Sequence, residues 1–428
     1  MQVSVESGDG LERRMTVELP ANKIEEAVSK RLKQIGRTAK MDGFRPGKVP
    51  MNILRRQYGS QVLQEVYGQM IESSYQEAVD QEKLQPAGMP KIEPKVSDSE
   101  GVFSYIATLE VMPEVGQVKV EGTINRPVAE ITDEDVAEMI EKLRKQRASW
   151  SAVDRAAAEG DQVKVNFKGL MEGEAFEGGS ASDVPLVLGS KRMIEGFETG
   201  LVGVVKEEKR SLELKFPEDY RVEELAGKPV TFEVEVNEVA EEVLPEMDDA
   251  FANEFGASEG VDKLKDDIRE NMQRELEQRI KTKVKNQAME LIVGSNSLEI
   301  PVALVNEEVE ALRKQTRSQL REGSGSIELP SSMFEEQAKR RVTLGLLISE
   351  AIKQNKIELD SERVRSAIEE YAASYEDPEE VIKHYYTDRS QLSAVQNLVL
   401  EEQVVDWVLE QVSVADEPTS FSALTAEG

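Results

Sequence analysis

Two residue types that often carry catalysis or bind metals, cysteine and histidine, are absent or nearly absent from this 428-residue chain. It has no cysteine and a single histidine, His384. Missing cysteine excludes disulfides, thiolate catalysis and cysteine-ligated metal sites, and one histidine excludes multi-histidine metal sites. A Ser–His–Asp triad would have to use His384, which is more simply interpreted as a helix residue. The glycines follow no phosphate-loop spacing. We therefore expect no metal, no cofactor and no bound nucleotide.

Charge is distributed unevenly along the chain. Its formal net charge is −30, from 53 basic and 83 acidic residues. Between residues 23 and 60, ten basic residues accompany only three acidic ones, a local net charge of +7. A body this acidic repels nucleic acid unless its cations are gathered in one place. The cluster predicts a docking surface for a polyanion, although a solvated basic face would give the same pattern.

The centre of this basic stretch is the loop Gly43–Pro50, with the sequence GFRPGKVP. Its two glycines and two prolines predict a tight connection between helices. Phe44 would then be exposed at the tip beside Arg45 and Lys48. An aromatic ring between cations can contact a base or a protein while the cations contact phosphate. The alternative is a structural turn with Phe44 directed inward.

The elements around this loop predict a small α+β domain. Residues 1–20 alternate in polarity across a glycine turn, which is typical of a β-hairpin. A helix follows it, and apolar spacing predicts two more helices after the loop, Met51–Tyr58 and Ser60–Lys83. The alternating stretch Phe103–Val111 can return to the hairpin as a third strand. The basic loop is therefore expected on a helix–loop–helix excursion from a sheet.

The rest of the chain changes character three times. Thr132 can cap a helix over Asp133–Ser149 within an otherwise extended linker. A glycine-rich stretch with β pattern follows, and then a helical region that begins with the long helix Asp262–Val293. The last residues lack lysine and arginine, and we expect them to be disordered. The predicted segments are an α+β domain (1–112), a linker (113–149), a β-rich domain (150–245), a helical body (246–412) and an acidic tail (413–428).

The loop resembles the ribosome-binding signature of the trigger factor family, which are bacterial ribosome-associated chaperones. The resemblance extends to the opening MQVSVES, to PAGMP at Pro86–Pro90 and to FEEQAKRRV at Phe334–Val342. It implies docking at the ribosomal exit tunnel, on ribosomal protein and rRNA, through Phe44, Arg45 and Lys48. It also implies an ATP-independent chaperone that holds nascent and unfolded polypeptides in an open state and takes part in protein folding and export.

The β-rich segment resembles the FKBP-type peptidyl-prolyl isomerases, in pieces such as Val165–Gly169, Met193–Gly200 and Phe216–Tyr220. The resemblance implies cis/trans isomerisation of X–Pro peptide bonds. The residues that it places around the pocket are Phe167, Phe176, Met193, Ile194, Phe197, Tyr220 and Phe232.

Physical chemistry supports such a pocket without a nucleophile. Rotation about an X–Pro bond crosses a barrier of about 18–20 kcal/mol that amide resonance sets. An apolar, aromatic slot disfavours the planar, charge-separated ground state relative to the twisted one. The Ile194 N–H and the Tyr220 hydroxyl are candidates for holding substrate carbonyls. The alternative is that these aromatics form the core of a small β domain.

The helical body is expected to hold clients, and here the inference comes from the family resemblance. Flexible apolar side chains on helices that cannot all pack inward could bind many unfolded segments weakly. The candidate client-binding residues are Met289, Ile292, Met333, Phe334 and Leu344. Ordinary helix–helix packing would explain the same residues.

The predicted fold is therefore multidomain α+β. It comprises an N-terminal α+β ribosome-docking domain, an FKBP-like β-rich domain with a short helix, and an extended all-α C-terminal body with arms. We expect a cytoplasmic protein that is no membrane protein, since the N-terminus has no secretory pattern and no apolar run spans a bilayer. A homodimer is possible off the ribosome. Three alternatives stay open: a free cytosolic FKBP-type isomerase with helical dimerisation arms, a secreted or periplasmic holdase, and an RNA-binding regulator.

Overall fold

The computed structural model describes residues 1–38, 44, 49–95, 102–171, 173–220, 222, 225–319, 329–373, 375 and 377–426. The chain forms two compact units, each built from segments that are distant in sequence. The first combines Met1–Arg126 with Thr282–Glu417, and the second combines Pro127–Lys281 with Pro418–Gly428. The bounds of the five predicted segments stay predictions.

The first unit contains an antiparallel sheet flanked by two helices. Its elements are β1 (Gln2–Ser7), β2 (Glu12–Pro20), α1 (Ala21–Thr38), α2 (Met51–Glu82), β3 (Lys91–Lys95) and β4 (Val102–Glu110). The strand order is β1-β2-β4-β3. Alternation along β2 buries Met15, Val17 and Leu19 against Tyr105 of β4 and the end of α2. The predicted hairpin and its returning strand are confirmed, whereas β3 was not predicted.

The predicted break in α2 near Gly59 is wrong, because one continuous helix runs from Met51 to Glu82. A glycine in a helix interior costs only about 1 kcal/mol. Leu54 and Val62 are buried on either side of Gly59 in one apolar cluster with α1. Packing against α1 therefore outweighs the weak helix propensity of the glycine.

The extended stretch after β4 is held through its backbone. Asn296 and Gln287 each use both ends of the side-chain amide, Asn296 on the N–H and C=O of Lys119 and Gln287 on those of Asn125, at 2.8–3.0 Å. Side-chain amides thereby satisfy backbone N–H and C=O groups along this stretch. The stretch continues into β5 (Thr123–Val128).

The first helix of the second unit is α3 (Asp133–Gln146), whose N-terminus is capped by a reciprocal capping box between Thr132 and Asp135. The predicted Thr132 cap is confirmed, but the helix ends before Ser149, where a strand starts. The sheet that follows is antiparallel and carries one short helix. Its elements are β6 (Ser149–Ala152), β7 (Gln162–Met171), β8 (Glu174–Val187), α4 (Phe197–Gly200), β9 (Lys209–Lys215) and β10 (Pro229–Val243). The order is β6-β10-β7-β8, and β9 also pairs with β10.

Helices dominate from residue 249 onward. They are α5 (Asp249–Glu254), α6 (Val261–Ser295), α7 (Val302–Gln319), a 3-10 turn (Ser331–Met333), α8 (Glu335–Asn355), α9 (Ser361–Ala372), α10 (Pro378–Thr387) and α11 (Arg389–Gln411). Along α6, apolar residues in steps of four overshoot the helical turn, so the stripe winds around the axis. Leu264 and Met272 join a cluster with α3 and α5 in the second unit, whereas Ala288 is buried in the part of α6 that belongs to the first.

The prediction of a disordered tail at 413–428 is wrong for the described residues. The chain forms β11 (Ser413–Pro418), which pairs with β5, and α12 (Phe421–Ala426). Phe421 and Leu424, three residues apart on one helix face, are buried in the cluster formed with α3, α5 and α6. The prediction of disorder rested on composition and did not take account of these two buried residues, which hold the tail against the cluster. Across the described residues, no helix has the length and hydropathy needed to cross a bilayer.

Candidate active site

Six aromatic rings meet inside the β-rich domain of the second unit. Phe197 lies edge to face with Phe232 at 5.2 Å between centroids, and Phe167 lies edge to face with both, at 5.7 and 5.9 Å. The remaining contacts join Phe176 to Phe232 and Phe216, and Phe216 to Tyr220, at 6.5, 6.1 and 4.6 Å. Edge-to-face pairs at these separations are favourable beyond the area they bury.

The sheet register places Phe167 and Phe232 on the same face of the sheet. Phe232 of β10 stands opposite Gly169 of β7, and Phe167 stands opposite Val234. A Cβ atom on Gly169 would lie 2.6 Å from the Phe176 ring and 2.9 Å from the Phe232 ring. Only glycine at this position lets both rings approach the backbone.

Met193 and Ile194 lie in the loop before α4 and pack, half-buried, against the same apolar core. Gly196 then adopts a left-handed conformation with φ of +90°, which turns the chain so that Phe197 enters the core fully buried. All seven residues predicted around the pocket are therefore brought into or against one cluster. Phe197 and Phe232 form its buried floor, and the other five are partly exposed around it.

Two hydrogen-bonding groups at this site have no partner within the described part of the chain. The Ile194 N–H donates to no described acceptor, although the Ile194 carbonyl accepts from the Phe197 N–H at 3.1 Å. No described residue bonds to the Tyr220 hydroxyl, which stands on a half-buried ring. Both groups can therefore donate a further hydrogen bond, which the predicted contacts with substrate carbonyls would require.

Sequence reasoning missed two residues that belong to this arrangement. Phe216 is buried and bridges Phe176 and Tyr220, and its signal was its place four residues before Tyr220 in a motif already recognised. The second is Glu198, a carboxylate that is only 6% exposed beside Phe197. Its signal in the sequence was an acidic residue directly after a core phenylalanine, where a carboxylate can accept hydrogen bonds from buried backbone N–H groups.

A concavity of about 700 Å³ lies along β7, β8, β9 and β10. Its lining is mostly polar, and two ion pairs lie in or beside it, Lys209 with Glu235 at 3.1 Å and Arg210 with Glu208 at 2.7 Å. Phe167 is the only aromatic residue among its described lining residues, whereas six rings meet in the aromatic cluster, so the cluster is the candidate for an apolar slot. No group of three or more potential metal-ligating side chains is assembled among the described residues.

The predicted docking residues are described only in part. Phe44 is 36% exposed, so its ring is accessible to solvent and is not tucked into the core. Arg45 and Lys48 lie outside the described residues. On the adjoining α1, Lys30, Lys33 and Arg37 are exposed. The accessible ring therefore stands next in sequence to a helix that presents cations.

The predicted client-binding residues divide by burial. Met289, Ile292 and Phe334 are buried, the last in a cluster with Val305 and Val309 of α7. The expectation that they present apolar surface is corrected, because helix packing covers them. Leu344 is half-buried. Met333 is 67% exposed, so it alone of the five offers most of its side chain to a client.

Comparison with known proteins covers nearly the whole chain. Residues 1–143 match the family model of the bacterial trigger factor protein, residues 260–410 match that of its C-terminus, and residues 153–237 match that of the FKBP-type peptidyl-prolyl cis-trans isomerases. The order of these matches is the order predicted from the motifs.

Curated relatives called trigger factor match over the full length. Those of Pseudomonas paraeruginosa and Stutzerimonas stutzeri are each 49% identical, over 98% of this chain and 97% of theirs. That of Thioalkalivibrio sulfidiphilus is 46% identical over 99% and 98%. A solved structure of the trigger factor chaperone, 21% identical, matches with a TM-score of 0.49 over 96% of this chain and all of that one. On the sequence matches, the chain belongs to the bacterial trigger factor family.

Proposed function

We propose a division of labour within this ribosome-associated chaperone with its FKBP-type prolyl isomerase domain. The loop that carries Phe44 docks the molecule on the ribosome. The aromatic cluster isomerises X–Pro bonds, and exposed apolar side chains of the helical body hold unfolded segments without ATP. The observation that carries the proposal is the full-length match to the family, with the three parts in one chain.

In the isomerase site, the floor rings Phe197 and Phe232 would support the proline ring of the substrate. Surrounding apolar groups exclude water, which weakens the solvation that favours the planar amide. The Ile194 N–H and the Tyr220 hydroxyl would bind substrate carbonyls and hold the peptide while its X–Pro bond twists. No bond to the protein forms, so no nucleophile or general base is required.

Docking would combine an apolar and an electrostatic part. The exposed Phe44 ring would contact ribosomal protein or an rRNA base, while Arg45 and Lys48 contact rRNA phosphate. Each phosphate contact releases counterions and makes the affinity depend on salt. Because the rest of the chain is strongly acidic, it would be repelled from rRNA, which orients the molecule with this loop toward the ribosome. The proposal places the chain in the cytoplasm.

Client contacts would use side chains that the helical packing leaves exposed. In the body these include Val302, Met333 and Leu398, which are 60%, 67% and 44% exposed. Separate exposed apolar side chains give weak and adaptable contacts, which suit many different unfolded sequences. We expect the buried Met289, Ile292 and Phe334 to act through stability only.

The experiment measures three activities on the full chain: pelleting with ribosomes, isomerisation of a short X–Pro peptide, and suppression of aggregation of a proline-free client. Phe44→Ala should reduce pelleting alone, Tyr220→Phe isomerisation alone, and Met333→Ser aggregation suppression alone. Ser422→Ala, at an exposed position of the second unit, is the control. No ribosome binding by the unmodified chain would favour a free isomerase, with dimerisation as its second signature. Normal binding by the Phe44, Arg45 and Lys48 variants would instead show that docking uses another surface.

A further inference from the structure

A buried carboxylate organises the loop that leads into the isomerase cluster. Glu198 of α4 is 6% exposed and sits next to the floor residue Phe197. Its two carboxylate oxygens accept hydrogen bonds from four backbone N–H groups and one hydroxyl. The donors are Gly189, Lys191, Arg192 and Met193 through their N–H groups, at 2.9, 2.9, 2.8 and 3.2 Å, and Ser190 through Oγ at 3.1 Å.

These donors come from five consecutive residues, so the backbone curls around the carboxylate. The next N–H along the chain, that of Ile194, has no acceptor within the described residues. The peptide units before and after it are both held, because the Met193 N–H is bound to Glu198 and the Ile194 carbonyl accepts from the Phe197 N–H. The Ile194 N–H is thus the first group of the loop left over for a ligand.

We propose that Glu198 is a positioning residue for prolyl isomerisation, which holds the loop so that the Ile194 N–H faces the substrate carbonyl. The inference rests on the proposed isomerase site and adds a residue that does not itself touch the substrate. Misplacement of a binding group by about 1 Å can cost on the order of a hundredfold in rate. A loop held by five bonds to one rigid acceptor prevents such misplacement.

The site requires an ionised carboxylate rather than an amide of the same shape. All five partners donate, and an ionised carboxylate only accepts. The amide of glutamine would direct its own N–H groups at backbone N–H groups. Burial raises the pKa of Glu198, but the hydrogen bonds from Lys191, Met193, Arg192 and Ser190 lower it by more, so the group is charged at neutral pH.

Glu198→Gln in the full chain is the decisive variant, with Glu213→Gln on an exposed position of β9 as the matched control. The kcat and KM for a short X–Pro peptide are measured by NMR exchange, at a temperature where both variants are folded. We expect kcat/KM to fall roughly tenfold or more for Glu198→Gln and to stay unchanged for the control. A lowered melting temperature with unchanged kcat/KM would show a purely structural role and overturn the proposal.

A second measurement uses the unmodified protein, in case Glu198→Gln fails to fold. Amide hydrogen exchange is followed with and without saturating X–Pro peptide. The N–H groups of Lys191, Arg192 and Met193 should be protected in both states, whereas that of Ile194 should become protected only with peptide. An Ile194 amide that is indifferent to peptide would refute the positioning role. If the site itself were misassigned, Tyr220→Phe would also leave the rate unchanged, which separates the two failures.

Discussion

The ring of Phe197 meets the ring of Phe232 edge to face, with 5.2 Å between centroids and 80° between ring planes. The contact joins the short helix α4 to strand β10 at the floor of the aromatic cluster. Both rings are buried, whereas Phe167, Phe176 and Tyr220 stand partly exposed against them. Substitution of a floor residue should therefore mainly lower the stability of the domain, whereas substitution of a partly exposed residue should mainly reduce the isomerisation rate.

Shortening the floor should destabilise the domain in proportion to the volume removed. Phe197→Ala should lower the free energy of unfolding by about 3–5 kcal/mol, because it empties a fully buried site. Phe197→Leu keeps much of the volume and loses two edge-to-face contacts, which predicts a loss of roughly 1–3 kcal/mol. Urea unfolding measures both. Equal losses for the two variants would show that the cluster is not close-packed.

Removing the Tyr220 hydroxyl should separate rate from stability. Since the hydroxyl has no bond within the described residues, Tyr220→Phe should change the free energy of unfolding by less than about 0.5 kcal/mol. Losing one hydrogen bond to substrate, worth about 1 kcal/mol, should reduce kcat/KM roughly fivefold. Exchange NMR on a short X–Pro peptide measures the rate. A variant as fast as the parent would remove Tyr220 from the substrate contacts.

The sequence allowed the prediction of every ring of the aromatic cluster except Phe216, and of most helix and strand centres. Periodicity works where one face packs, as along β2 and α6. It failed where packing overrode local propensity, at Gly59 inside α2, and where two apolar anchors, Phe421 and Leu424, order an otherwise polar tail. Periodicity could not show that Met289 is buried and Met333 is exposed, because burial of the same residue type depends on which neighbouring helix covers it.

Ribosome docking should show two separable contributions. Phe44→Ala removes an uncharged ring, so ribosome affinity should fall roughly tenfold while the dependence of log affinity on log salt keeps its slope. Arg45→Ala or Lys48→Ala should reduce that slope by about one each. Pelleting across a salt series measures both quantities. A changed slope for Phe44→Ala would mean that the ring acts by placing the cations.

An ordered tail, unlike a disordered one, should contribute to the free energy of unfolding through its buried side chains. Phe421→Ala should destabilise the second unit by about 3 kcal/mol, because the ring is buried in the cluster with α3, α5 and α6. Ser422→Ala, one position along and exposed, should leave the free energy of unfolding within about 0.5 kcal/mol. Urea unfolding compares the two. A silent Phe421→Ala would show that the tail is not docked in solution.

Acid should cancel the stabilising effect of Glu198. The hydrogen bonds that it accepts outweigh the effect of burial and hold its pKa below the ordinary value of 4.5. A carboxylate with a lowered folded-state pKa contributes stability that is complete above the unfolded-state value and is lost as pH falls through the folded-state one. The difference in free energy of unfolding between the parent and Glu198→Gln should therefore be constant at neutral pH and shrink below pH 4.5.

Other charged groups around the loop should not obscure this trend. Lys191 and Arg192 are exposed on the loop itself, and Glu159 lies against Gly189. All three are present in both proteins, so their contributions cancel to first order in the difference between the two free energies of unfolding. Urea unfolding from pH 7 down to about pH 3 crosses the ordinary glutamate pKa of 4.5, below which the difference should begin to shrink. A difference that stays constant across this range would show that the loop does not depend on the charge of Glu198.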